Sequence, residues 1–146
     1  MSWKTFAYES PELAAFGRDR LLKSAAYLAT IKADGAPRVH PVTPIIGDGL
    51  FVFMEPGSPK GHDLRRDSRY ALHCGVEDNS GGDGEFVVHG RARLAEDAAI
   101  RAQAEASASY TPAARYILFE LEVTSVQSTI YADSGPVRIV WKRTAE

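Results

Sequence analysis

Alternation of apolar and polar side chains dominates this sequence and predicts a chain built mostly of strands. The pattern is clearest over residues 116–126, where Ile117, Phe119, Leu121 and Val123 alternate against Leu118, Glu120 and Glu122. Residues 85–94 read as another strand, with Phe86, Val88, Ala92 and Leu94 on one face. Residues 25–32 lead into Asp34-Gly35, a dipeptide that favours a hairpin, and residues 37–46 and 50–54 follow around the turn at Gly47-Asp48-Gly49. These three segments read as an antiparallel meander. Residues 70–76 and 137–141 complete the strands, and residues 79–84 form a polar, glycine-rich loop.

Three helices are expected. Ser10 and Pro11 open the first, which runs to about Ser24 with Leu13, Phe16, Leu21 and Leu22 as its apolar stripe. Ser58-Pro59 opens a short basic helix ending at Arg66. An alanine-rich stretch over residues 96–108 supplies the third, a solvated cover for the strands, ending before Thr111-Pro112. Six or seven strands in hairpins, without a strand–helix–strand rhythm, point to a mainly β (α+β) barrel rather than a doubly wound sheet.

The chain has 146 residues, a length that suits a single domain spanning residues 1–146. Burial of about 68–70% of the unfolded surface is expected at this size. Composition is that of an ordinary globular chain, 45% hydrophobic and 25% charged. The 17 basic and 19 acidic residues leave a formal charge of −2, which removes the electrostatic case for nucleic-acid binding. No apolar run approaches the roughly 18 residues of a membrane span. The N-terminus lacks the apolar core of a signal peptide, and a cytoplasmic location is expected. Cys74, the only cysteine, has no partner for an internal disulfide and reads as a buried small hydrophobe.

The chemistry concentrates in two stretches. In the run Pro37-Arg38-Val39-His40-Pro41-Val42-Thr43-Pro44 the prolines carry no N–H donor, so the segment cannot be paired fully on both sides. It is an edge, or a place where the ladder opens and leaves the main chain of Val42 and Thr43 for something else. A flat heterocycle with donors and acceptors on its rim is one occupant; a bent edge strand with no ligand is the alternative. The second stretch, Ser58-Pro59-Lys60, starts a helix, where free amides and the helix dipole favour a phosphate. Ser58 adds a hydroxyl and Lys60 a charge, although a plain serine cap with a solvated lysine would look the same.

In order and spacing these stretches resemble the FMN-binding split-barrel superfamily related to pyridoxamine 5′-phosphate oxidase. The resemblance covers about residues 10–142. It runs through the first helix, Leu28-Ala29-Thr30, Asp34-Gly35-Ala36-Pro37, the proline-containing strand, Phe51-Val52-Phe53, Ser58-Pro59-Lys60, the segment from Glu85 to Ala92, and Trp141. It implies a six-stranded antiparallel split β-barrel with flanking helices, forming a homodimer with FMN between subunits. The implied flavin contacts are Arg38, Val39, His40, Pro41, Val42 and Thr43 along the ring, with Phe53 and Met54 at the end of the next strand. Ser58 and Lys60 would hold the phosphate, with Arg38 as a second cation, and Glu85 and Trp141 would approach from the partner subunit. Relatives in the superfamily also bind a deazaflavin or haem.

The sequence departs from the oxidase at Glu85, where a polar amide is expected, and at Pro59, where a second cation is expected. Around Trp141 only Arg138, Lys142 and Arg143 remain of an arginine-rich signature, so pyridoxamine phosphate is not the expected substrate. The implied function is an FMN-dependent oxidoreductase acting on a small-molecule redox substrate. No side chain is needed as an essential acid or base, because the cofactor carries the redox chemistry. The alternative is a flavin-, deazaflavin- or haem-binding protein without turnover, serving storage, sensing or stress response. His40, His62, His73 and His89 fall on different elements without metal-ligand spacing, and nucleophile-elbow, Walker and dinucleotide motifs are missing from the sequence.

Overall fold

The computed structural model describes residues 2–79 and 82–144. Of the expected 79–84 loop and the 1–146 domain, Ser80, Gly81, Met1, Ala145 and Glu146 therefore lie outside the described residues.

The chain opens with a helix that the sequence reading did not anticipate, α1 (Trp3–Glu9), which buries Trp3 and Phe6. Seven residues with two apolar anchors give no repeating stripe, so its signal is too short to read. The expected helix follows as α2 (Pro11–Lys23), with proline at its first position. Ser10 is not a side-chain cap. Its backbone joins the two helices instead, the N–H donating to Phe6 O at 2.8 Å and the carbonyl accepting from Ala14 N at 2.9 Å. Leu13 and Leu21 are buried as expected, but Leu22 is 44% exposed and leaves the stripe.

Among the described residues eight strands follow, more than the six or seven expected: β1 (Ala26–Ile31), β2 (Pro37–Val42), β3 (Ile45–Ile46), β4 (Leu50–Met54), β5 (Arg69–His73), β6 (Glu85–Leu94), β7 (Ile117–Ala132) and β8 (Gly135–Lys142). Two more helices interrupt them, α3 (Pro59–Arg66) and α4 (Ala98–Ser107). Asp97 caps α4, accepting from Ala99 N at 2.8 Å and Ile100 N at 3.2 Å, so the helix starts at Ala98 rather than at residue 96. No helix among the described residues is long and apolar enough to cross a membrane.

All strand pairings are antiparallel, in the order β2-β1-β5-β6-β7-β4-β3, with β8 hydrogen-bonded to β7. The β1–β2 hairpin turns at Asp34-Gly35 as expected: Gly35 takes φ +87°, open to glycine at no steric cost, and Asp34 Oδ1 accepts from Ala36 N at 2.9 Å. The meander does not form. β2 ends at Val42 and β3 begins at Ile45, yet the two sit at opposite ends of the sheet path. Pro44 interrupts the ladder, and the buried pair Ile45-Ile46 turns away to join β4. Because only Thr43 and Pro44 separate β2 from β3, the sheet must curl until its two ends meet.

The core fills the inside of this curl. Phe6, Leu21, Leu28, Leu72, Phe86, Val88, Phe119, Leu121 and Val126 form the main cluster. A second cluster of Ile45, Phe51, Phe53, Ala95, Ala104 and Leu118 lies under α4, so that helix buries Ala104 and covers the strands as expected. Helix α2 lies against β6 so closely that a Cβ on Gly17 would stand 2.1 Å from Phe86 Cζ. Cys74 is buried just beyond β5, short of the strand end expected at residue 76, and its Sγ accepts from Phe86 N at 3.3 Å.

Candidate functional site

The two ends of the sheet do not close completely. Between them lies a pocket of about 350 Å³, within the range of small-molecule sites. One flank is Pro41, Val42 and Thr43 at the end of β2, with Ala25 below them. Phe53, Met54 and Glu55 come from the end of β4, and Lys60 from the first turn of α3. Tyr110 and Tyr116 form the remaining flank. The strand and helix geometry therefore brings Pro41, Val42, Thr43, Phe53, Met54 and Lys60, all read from the sequence, to one cavity.

β2 is the outermost strand on its side and pairs only with β1, so no strand covers its other edge among the described residues. This is the opening that the prolines predict. Lys60 is half-buried and has no carboxylate partner among the described residues; burial holds its ammonium below the ordinary pKa. Burial first, and then the charges of Lys60 and Arg38, likewise lower the pKa of the exposed His40. Positive charge is thus gathered at the start of α3. A partly desolvated cation without a counter-ion is costly, and an anionic ligand offsets that cost.

Ser58 caps α3, its Oγ accepting from Gly61 N at 3.3 Å. The hydroxyl lies outside the pocket lining, two residues before Lys60. Arg38 also stays out of the cavity wall, because Asp63 holds it. The Asp63 carboxylate is 2% exposed and accepts from Thr30 Oγ1 at 2.7 Å, Arg38 Nε at 2.7 Å and Arg66 Nη2 at 3.0 Å. Burial pushes the Asp63 pKa up, but the three donors outweigh it and leave the carboxyl below its ordinary value. This buried hub fastens β2 to α3, and so the edge strand to the cationic corner.

Val39 and His40 are exposed along β2, outside the lining. Glu85 and Trp141 do not reach the pocket of their own chain. Glu85 Oε1 stands 3.6 Å from His73 Nε2, and a hydrogen bond to Glu85 raises the Tyr131 pKa. The Trp141 indole donates to Glu9 Oε1 at 3.3 Å and packs against Phe6, ring centroids 5.0 Å apart. Sequence reasoning missed Ala25, Glu55, Asp63, Tyr110 and Tyr116. The tyrosines left a faint signal, two aromatic side chains bracketing a small-residue loop. Asp63 left none, because a lone acid on a basic helix reads as solvated.

An edge strand with an open seam, a helix start bearing a lysine without a carboxylate partner among the described residues, and a cavity between them are features that suit a small anionic molecule. The sequence profile of the family described as pyridoxamine 5′-phosphate oxidase matches residues 14–130, and the chain belongs to that family. No curated protein matches it. Solved structures with a similar fold include a haem-binding protein from Mycobacterium smegmatis, at TM-score 0.65 and 18% identity over 86% of this chain. The chain spans only 57% of that protein's length. PhzG from Burkholderia lata, solved with tetrahydrophenazine-1-carboxylic acid, matches at TM-score 0.62 and 18% identity, covering 96% of this chain and 86% of PhzG. HutZ, the haem storage protein of Vibrio cholerae, matches at TM-score 0.59 and 19% identity, covering 78% of this chain and 89% of HutZ. At such identities the likeness speaks for the fold alone.

Proposed function

We propose that this chain, as one domain, binds FMN in the pocket between the sheet ends and serves as an FMN-dependent oxidoreductase for a small-molecule redox substrate. The observation that carries the reading is the half-buried Lys60, without a counter-ion among the described residues, set at a helix start beside the uncovered edge of β2. The residues present fit the group. Lys60 answers a phosphate, while the main chain of Val42 and Thr43 answers the polar rim of a ring. Phe53 and Met54 give the ring an apolar floor. FMN when bound supplies hydride acceptance and return. The chain's own part is to bind, to orient and to exclude water, and no side chain is assigned as a catalytic acid or base.

A homodimer belongs to the same proposal. The ribbon made by β7 and β8 leaves Ile130, Val137, Ile139 and Val140 about half exposed, an apolar surface suited to a second copy. Glu85 and Trp141 would then be supplied across the interface. A second reading, a cofactor-binding protein without turnover that takes haem, a deazaflavin or flavin, draws support from the haem-binding and haem-storage proteins among the similar folds.

An absorption spectrum of the purified protein, with mass analysis of what it releases on denaturation, tests the proposal. Flavin bands reduced by a nicotinamide donor and reoxidised by an acceptor support the enzyme. A Soret band, or flavin that stays inert, supports the second reading, and a colourless protein that takes up no flavin refutes the first. Lys60→Ala is expected to weaken FMN about tenfold or more while leaving riboflavin, which has no phosphate, nearly unchanged. Equal losses for both, measured by titration, would remove the phosphate role of Lys60. Dilution below the dimer dissociation constant is expected to release the flavin; a monomer that retains it contradicts the shared site.

A further inference from the structure

The connection between α4 and β7, residues 108–116, has neither helix nor strand, yet it is held by two arginines. Arg101 on α4 donates from Nη1 to Tyr116 O at 2.6 Å, and from Nη2 to Ala113 O at 3.2 Å and Ala114 O at 3.4 Å. Its Nε meets Glu105 Oε1 at 2.8 Å, and the guanidinium carbon lies 5.1 Å from the centroid of the Phe53 ring. One planar fork thus gathers the carbonyls of the connection and fixes them over the pocket floor. Arg115 supplies the second anchor, its Nε standing 3.0 Å from both carboxylate oxygens of Glu55, which also lines the pocket. Tyr116, whose carbonyl Arg101 holds, and Tyr110, three residues before the first of the held carbonyls, both line the cavity.

We propose that the 108–116 connection is the ring-facing wall of the pocket, that Tyr110 and Tyr116 bear on the planar part of the bound ligand, and that Arg101 is the residue that positions them. The inference rests on the FMN reading and deepens it by separating the site into two ends. Lys60 serves an anion, and the tyrosine pair serves an aromatic face. Tyrosine suits this place because it offers a large rigid apolar surface with a polar tip that tolerates a half-open cavity. Burial, and then the neighbouring Tyr116, raise the Tyr110 pKa, further from a neutral range in which a tyrosine hydroxyl is protonated in any case. Lysine at position 101 would keep the charge but lack the fork that spans several carbonyls.

The test is titration of FMN and of riboflavin into wild type, Arg101→Lys, the double variant Tyr110→Ala/Tyr116→Ala and the double variant Tyr110→Phe/Tyr116→Phe, read by affinity and by quenching of flavin fluorescence. The alanine pair is expected to weaken FMN and riboflavin by the same factor, about tenfold, since both carry the ring. Quenching should fall with it. The phenylalanine pair keeps the rings and should bind like wild type. Arg101→Lys should follow the alanine pair at a temperature where its circular dichroism matches wild type; a purely structural role would lower the melting temperature without changing fluorescence. If wild type binds neither flavin, the FMN reading falls and takes this inference with it. If wild type binds both, the inference alone is overturned by alanine or Arg101→Lys variants that bind normally, by loss of FMN alone, or by a phenylalanine pair as weak as the alanine pair.

Discussion

Gly90→Ala is expected to destabilise the protein by about 3 kcal/mol or more, lowering the melting temperature by roughly 6–12 °C. A Cβ at this position would stand 1.8 Å from Glu122 O, 2.9 Å from Glu122 C and 3.2 Å from Tyr70 Cε1. Two of those atoms are backbone of the neighbouring strand, so no rotamer change makes room. The register of β6 against β7 shifts between His89 and Gly90, and at this irregularity Tyr70 Oη donates to Glu122 O at 2.9 Å. Alanine must therefore push apart the pairing at the middle of the sheet and disturb a partly buried hydrogen bond. Urea denaturation gives the measurement, with Gly57→Ala as the control, because a Cβ on Gly57 meets nothing within 4 Å. Equal midpoints for Gly90→Ala and wild type would show that the sheet yields here.

Removing the carboxylate hub is expected to be the next most damaging change. Asp63→Ala strips the acceptor from Thr30, Arg38 and Arg66 at once. Breaking a buried ion pair costs about 3–5 kcal/mol in general. Here Arg38 and Arg66 are 31% and 43% exposed at their side chains and can rehydrate, so about 2 kcal/mol is the better expectation. Asp63→Asn isolates the charge. Because the folded pKa of Asp63 lies below its unfolded value, its contribution is fully present above the ordinary carboxyl range, near pH 4, and fades as pH falls through the depressed folded value. The stability gap between wild type and Asp63→Asn should therefore be wide at pH 7 and narrow in acid. A gap independent of pH would mean that shape, not charge, is what Asp63 contributes. Flavin affinity should fall with it, since Asp63 fastens β2 to α3.

What could be read in advance was what local chemistry decides. Asp34-Gly35 demanded a hairpin, Ser58-Pro59 started a helix, and Pro41 and Pro44 forbade a fully paired strand; each appears in the fold, and the open edge became one wall of the pocket. The meander failed for a definite reason. Alternation says which face of a strand is buried but not which strand lies beside it, and Ile45-Ile46 satisfies its burial equally well on β4 as beside β2. Helix α1 was too short to show a period. Asp63 and Glu55 matter through partners 25 and 60 residues away, Arg38 and Arg115, and Tyr116 through Arg101, 15 residues away; no local pattern encodes such distances.

The uncovered margin of β2 has one more consequence, for what the molecule must avoid. An unpaired strand margin is a template on which another chain can add a strand and begin to aggregate. Pro37 and Pro41 withhold N–H groups along this margin, and Pro44 buries itself where a longer template would continue. The residues that keep the cleft open for a small guest thus also deny it to a stray polypeptide.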